Sequence, residues 1–242
     1  MAKNEILYSK LAKYYDLVYY NKNYKSEAER IISLIKKYKK SGGNELLEIA
    51  SGTGKHLQYL KSKFNCVGSD LNSDMINIAK KRVPGVDFKI INMINFNIHK
   101  QFDVILCLFS SIGYVKTYEN LKKALKNFAH HLKEGGVVII EPWLTKKSYI
   151  KGKVNLNTYE DANTKIARVS FSRVTGDVSY MDMYYLIAEK DKGVNYFKET
   201  HEMGLFEVDK VLKIMKSVGF KAVYLKNGTR LNRGLYLGVK DK

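Results

Sequence analysis

The sequence predicts an α/β fold, a doubly wound and mostly parallel sheet with an antiparallel β meander inserted after the fifth strand. Three observations carry this. Between residues 45 and 140, short and almost wholly apolar runs alternate with segments of helical period, the pattern of strands covered on both faces by crossover helices. The first of these runs ends in a glycine turn, Gly52-Thr-Gly54. Past Trp143 the spacing changes to alternating apolar and polar residues broken by short turns, which reads as hairpins.

The elements follow in order. Ile31, Ile32, Leu34, Ile35 and Tyr38 make one apolar stripe at helical spacing, so residues 1–40 are expected to form a helical cap, with a tyrosine-rich segment before the stripe. Residues 45–50 form the first buried strand after the break at 41–44. Residues 56–62 read as a helix, 66–70 as the second strand, and 73–81 as a helix capped by Ser73. Strands at 86–91 and 102–109 follow, then a helix over 118–132 that Gly135 and Gly136 end, and a fifth strand from Val137. Strands over 165–174, 178–188 and 195–206 make the meander, within an insertion spanning 145–206. A helix over 207–218 and short strands at 221–225 and 234–239 complete one domain, 1–242.

Composition bounds the function. A chain of 242 residues is long enough for one large domain with a sizeable core. No stretch approaches the ~20 apolar residues that span a bilayer, and the start at Met1 has no apolar run behind it. A cytoplasmic protein with no membrane contact, monomeric or homodimeric, is expected. The two cysteines, Cys66 and Cys107, lie in strand-like runs without metal-ligand spacing, and no metal is expected. A net charge of +18 raises the possibility of a nucleic-acid partner. The lysines are scattered through nearly every segment, however, as on a solvated surface, and a small diphosphate is an equally good anionic partner.

The chemistry concentrates at the glycine loop, Glu48-Ile-Ala-Ser-Gly-Thr-Gly54, where the backbone can approach a ligand closely. A dinucleotide-binding loop has a third glycine for close helix packing, and here Lys55-His56-Leu57 stand in its place. Two acids point instead to a methyl donor. Glu48 precedes the loop and can hold the ammonium of S-adenosylmethionine, and Asp70, ending the second strand, suits two ribose hydroxyls.

These residues resemble the class I S-adenosylmethionine-dependent methyltransferases, a Rossmann-like family. The resemblance extends to Gly68-Ser-Asp-Leu-Asn-Ser-Asp-Met75 and Leu132-Lys-Glu-Gly-Gly-Val137. A narrower one covers most of the chain. Phe109-Ser-Ser-Ile-Gly-Tyr-Val115, Glu141-Pro-Trp143, Arg168-Val-Ser-Phe-Ser172, His201 with Leu205-Phe206, and Arg233-Gly-Leu-Tyr-Leu-Gly-Val239 are similar to the N,N-dimethyltransferases of dTDP-linked amino sugars in deoxysugar biosynthesis.

The resemblance implies S-adenosylmethionine as cofactor, held by Tyr15, Tyr24, Glu48, Ala50, Gly52, Gly54, Asp70, Leu71, Met75, Asn92 and Met93. Asn92 stands where relatives carry an acid for the adenine amino group, and its amide oxygen can still accept. The same resemblance makes Tyr8 and Tyr114 the catalytic pair that orients the sugar. It assigns Ser110, Ser111, Trp143, Arg168, Ser170, Ser172, His201 and Arg233 to a nucleotide-sugar substrate, and an arginine fork suits diphosphate oxygens. The tyrosines read equally as rim packing. In-line transfer from a sulfonium to an amine needs alignment and water exclusion more than a strong base. Methylation of another small amine or hydroxyl, or of RNA, stands as the alternative, and the chain lacks an Asn-Pro-Pro-Tyr tetrad for a flipped base.

Overall fold

A computed structural model describes residues 5–230 and 233–241; residues 1–4, part of the start read above as lacking an apolar run, lie outside it. Among the described residues, seven strands form the main sheet. In chain order they are β1 (Glu45–Ile49), β2 (Asn65–Asp70), β3 (Asp87–Ile90), β4 (Phe102–Cys107), β5 (Leu132–Ile140), and, at the end of the chain, β10 (Phe220–Arg230) and β11 (Arg233–Lys240). Across the sheet the order is β10-β11-β5-β4-β1-β2-β3. The first five strands pair in parallel, and β11 enters antiparallel between β5 and β10. The reversal from β1 outward in both directions is the doubly wound switch, and the glycine loop leaves β1 at that point.

Alternate residues of each central strand face opposite layers. Helices α2 (Tyr24–Tyr38), α3 (Leu57–Leu60) and α4 (Ser73–Arg82) cover one face, where Ile31, Leu34 and Ile35 pack with Leu46, Val104 and Leu106. Helices α5 (Tyr118–His131) and α6 (Val208–Ser217) cover the other, where Leu125, Phe128 and Met215 pack with Leu47, Ile105 and Val138. Gly68 on β2 has no room for a side chain, since a Cβ there would stand 2.3 Å from the Phe88 ring and 2.8 Å from Leu57. Gly68→Ala is expected to cost about 1–3 kcal/mol, measured as a lowered midpoint of urea unfolding.

Several boundaries differ from the sequence reading. The helix over 73–81 has Asn72, not Ser73, at its N-cap position, without a side-chain capping bond, and Ser73 is its first helical residue. Gly135 and Gly136 do not end a helix. β5 already begins at Leu132, paired with Phe102, and the glycine pair forms an irregularity before pairing resumes at Val104↔Val137, with Gly135 at φ +72°.

The second sheet holds four antiparallel strands where three were expected: β6 (Val154–Glu160), β7 (Thr164–Thr175), β8 (Val178–Glu189) and β9 (Gly193–Gly204). Its inner face carries Ile166, Arg168, Ser170, Ser172, Met183, Tyr185, Glu199 and His201, all buried. Against this face runs an N-terminal strap of short helical turns that includes α1 (Tyr15–Val18). The strap buries Leu7, Leu11, Tyr14 and Tyr15 against Met75, Ile166 and Tyr185. It is also latched to the glycine loop, because Asp16 accepts from Thr53 Oγ1 at 2.8 Å and pairs with Arg82.

Candidate active site

Two cavities meet between the sheets. The first lies over the carboxyl ends of β1 and β2, where ligands bind doubly wound sheets. It is lined by Tyr8, Tyr15, Ala50, Gly52, Asp70, Leu71, Met75, Met93 and Tyr114, all anticipated as site residues, with Ile49, Asn72, Ile91 and Phe109, and by Ser111, which the sequence reading had assigned to the sugar and which turns to this cavity and not to the second. The backbone is strained here. Gly52 sits at φ +55°, and Ala50 takes φ +55° without being glycine.

Asp70 Oδ2 accepts from the Gly52 amide at 2.9 Å and Oδ1 from the Asn72 amide at 3.0 Å. Burial raises its pKa in spite of these donors. Each oxygen keeps a lone pair for a further donor.

Four anticipated cofactor residues stand off this wall. Gly54, at φ +77°, places its Cβ position 3.2 Å from Ala79 and serves the packing of the loop on α4. Asn92 turns its Oδ1 to the Ile94 amide at 3.0 Å, closing a local turn, so its adenine role is not what this conformation presents. Tyr24 covers His56, ring centroids 5.0 Å apart. Glu48 lies behind the wall with Oε1 3.2 Å from His56 Nδ1. His56 in turn meets Glu27, which pairs with Lys22 of the strap. This buried group was not legible in the sequence, because its members lie far apart along the chain.

The lining of the first cavity suits S-adenosylmethionine, since Asp70 keeps lone pairs that its ribose hydroxyls can use. Behind this wall, Glu48 Oε2 and Ser51 Oγ are buried without hydrogen-bond partners among the described residues.

The second cavity, about 460 Å³, lies between the strap, the loop after β4 and the inner face of β6 to β9. Ser110, Trp143, Arg168, Ser170, Ser172, His201 and Arg233, all anticipated, line it. Arg233 stacks on Trp143 at 4.7 Å and donates from Nη1 to Ser110 Oγ at 2.7 Å. Arg168 donates to Tyr19 Oη at 3.0 Å and to Asn157 Oδ1 at 2.9 Å, while its buried Nε has no partner among the described residues. Sequence reasoning missed Tyr19, Asn155 and Asn157 on this wall.

Tyr8, Phe109 and Tyr114 line both cavities. Phe109 and Ser110 adopt φ of +54° and +64°, which turns the chain away from β4 and into the divide. The hydroxyls of Tyr8 and Tyr114 are 2.6 Å apart. Burial raises both phenols well above their ordinary pKa, so at neutral pH they are protonated and act by hydrogen bonding, not as bases.

Comparison with known proteins agrees with this geometry. A methyltransferase domain model matches residues 46–136. The chain is 34% identical over 228 residues to the dTDP-3-amino-3,4,6-trideoxy-alpha-D-glucopyranose N,N-dimethyltransferase of Streptomyces venezuelae, covering 93% of this chain and 95% of the relative. It is 32% identical to the dTDP-3-amino-3,6-dideoxy-alpha-D-glucopyranose N,N-dimethyltransferase of Streptomyces fradiae, covering 95% and 90%. Among solved structures it matches Streptomyces venezuelae DesVI with a TM-score of 0.89 at 33% identity, over 95% of this chain and 98% of that one. It also matches a S-adenosylmethionine-bound amino pentose methyltransferase from Micromonospora echinaspora, TM-score 0.81 at 26% identity, over 90% and 92%. A donor cavity at the switch point, a second cavity beside it, and relatives alike over nearly their whole length place the chain in one family: it belongs to the class I S-adenosylmethionine-dependent methyltransferases, among the dTDP-amino-sugar N,N-dimethyltransferases.

Proposed function

We propose that the chain transfers methyl groups from S-adenosylmethionine to the amino group of a dTDP-linked amino sugar, forming the N,N-dimethyl product. The observation that carries this is the wall of Tyr8, Phe109 and Tyr114 shared by a donor cavity and a larger cavity bearing two arginines. Arg233 and Arg168 suit the diphosphate and nucleotide, and the serines of β7 and asparagines of β6 supply neutral donors beside them. In the donor cavity Asp70 would receive the ribose hydroxyls.

Bound, the cofactor supplies a methyl carbon on a sulfonium, which leaves its bonding pair on sulfur as the amine nitrogen bonds the carbon. The protein contributes alignment. The strap, pinned at Asp16 and Leu7, roofs both cavities and keeps water from the amine. Tyr8 and Tyr114 hold the amine at the divide. No residue at the wall is needed as a base, because an amine that sheds its proton to water attacks through its own lone pair.

Incubating purified protein with S-adenosylmethionine and dTDP-3-amino-sugars is expected to give a product heavier by two methyl substitutions in mass spectrometry. Clean donor binding with no turnover on any amino sugar refutes the acceptor assignment and leaves the methyltransferase one standing.

A further inference from the structure

Behind the shared wall runs a line of hydrogen bonds that neither cavity accounts for. Tyr114 Oη, bonded to Tyr8, also lies 2.5 Å from His201 Nδ1. His201 Nε2 lies 2.9 Å from Glu199 Oε1, within ion-pair range but off the angle of a hydrogen bond. Glu199 receives two further donors, Tyr185 Oη at 2.8 Å and the Leu7 amide at 3.1 Å. His201 and Glu199 are buried, two residues apart on β9 and so on one face of it.

An ionised carboxylate only accepts. Burial disfavours the Glu199 charge, yet His201, the Leu7 amide and Tyr185 together hold its pKa below the ordinary value. Tyr185 and Leu7 present protons to it, and a bare Nε2 lone pair 2.9 Å from the same carboxylate would be repelled, so a proton on Nε2 suits the contact. In the tautomer that carries its single proton on Nε2, the ring has a bare lone pair at Nδ1, and that is the tautomer our inference requires. Tyr114 gives its one hydroxyl proton to that lone pair, and its oxygen takes the proton of Tyr8. Tyr8 is left with lone pairs only, at the divide between the cavities.

We infer that Glu199, acting through His201 and Tyr114, is a positioning residue that makes Tyr8 Oη an obligate acceptor for an N–H of the substrate amine and so limits the enzyme to two methyl transfers. The identity of the amine rests on the proposed function; the direction of the hydrogen bonds does not. A primary amine has both an N–H for Tyr8 and a lone pair to aim at the methyl carbon, and a secondary amine still has both. In each transfer a nitrogen–carbon bond forms, the carbon–sulfur bond breaks with its pair on sulfur, and the ammonium product releases one proton to water. The tertiary amine left after the second transfer has a lone pair but no N–H, and Tyr8 no longer holds it in line. An imidazolium at His201 reverses the line and points the Tyr8 proton at the amine lone pair, blocking attack.

The first test needs no substrate. A long-range proton–nitrogen spectrum of protein labelled with ¹⁵N-histidine, with His201 assigned by its loss in His201→Gln, is expected to show the neutral ring protonated on Nε2 at pH 7.5. A proton on Nδ1, alone or in the doubly protonated ring, overturns the inference. The second test compares Glu199→Gln and Glu199→Asp, with binding of S-adenosylhomocysteine by calorimetry as the control for folding. Glu199→Gln is expected to leave that binding and the KM for the nucleotide sugar near wild type. Its kcat for the second transfer falls about tenfold, the worth of one hydrogen bond, so that monomethyl sugar accumulates, and Glu199→Asp restores part of it. A Glu199→Gln enzyme with wild-type kcat and product ratio overturns the inference. Should that variant not fold, Tyr114→Phe cuts the same line and is judged by the same ratio. A wild-type protein that binds the donor and methylates no amino sugar counts against the proposed function, and the histidine spectrum then decides the inference by itself.

Discussion

Asp70→Ala is expected to raise the Kd for S-adenosylmethionine by about a hundredfold, since two hydrogen bonds to a charged group are worth about 3 kcal/mol together. Titration calorimetry reads it directly. The expectation has two sources. Removal of the carboxylate takes away the acceptor for the ribose hydroxyls, and it also strands the Gly52 and Asn72 amides that now donate to it. Gly52 holds a left-handed conformation in the loop, so losing its anchor loosens the part of the backbone the donor approaches. Asp70→Asn keeps one oxygen and is expected to lose less. The pH dependence follows from the direction of the shift. Burial raises the Asp70 pKa in the free protein, and hydroxyl donors favour the ionised form. Donor affinity therefore falls as pH drops through the Asp70 titration and is constant above it. An Asp70→Ala protein with near wild-type Kd removes Asp70 from the donor site.

Arg233→Ala is expected to raise the KM for the dTDP-sugar by about a hundredfold, the loss of a two-pronged charged contact, with kcat changed only a few-fold. Steady-state kinetics at saturating donor separates the two parameters. The guanidinium is held in place by the Trp143 ring and Ser110 Oγ, so its orientation is set before any ligand arrives. Arg233→Lys keeps the charge but neither the stacking nor the fork, and an intermediate KM is expected. Because Arg233 lines the second cavity and not the wall shared with the donor, donor affinity should not change. A loss confined to kcat would place Arg233 with the chemistry and not with the nucleotide.

The parallel core was legible because β1, β4 and β5 are buried on both faces, and such strands must be written as apolar runs. The four-stranded sheet was less so. β6 carries its large apolar residues, Val154 and Leu156, at exposed positions and gives Asn155 and Asn157 to the cavity, the reverse of the usual arrangement, so its alternation did not register as a strand. The start of β5 was hidden by Gly135 and Gly136, whose spacing equally suits a helix end. Among site residues, those within a contiguous motif were found: Ala50, Gly52, Asp70, Leu71, Ser110 and Ser111. Glu48 belongs to the same motif but points behind the wall, because successive strand residues face opposite ways. His201 was visible only through resemblance, and Glu199 not at all, since their partners are brought to them by tertiary packing, Leu7 from the strap and Tyr114 from the turn after β4.

Among the described residues the two cavities have just Tyr8, Phe109 and Tyr114 in common. On the proposed function, donor and acceptor are thus specified by nearly independent sets of side chains, one borne mainly on the parallel sheet and the other mostly on β6 to β9 and the loops around them. Selection can rewrite the acceptor set without eroding the donor set. A laboratory lineage seeking a new amine should accordingly collect its substitutions on the antiparallel strands and keep those three aromatic residues fixed.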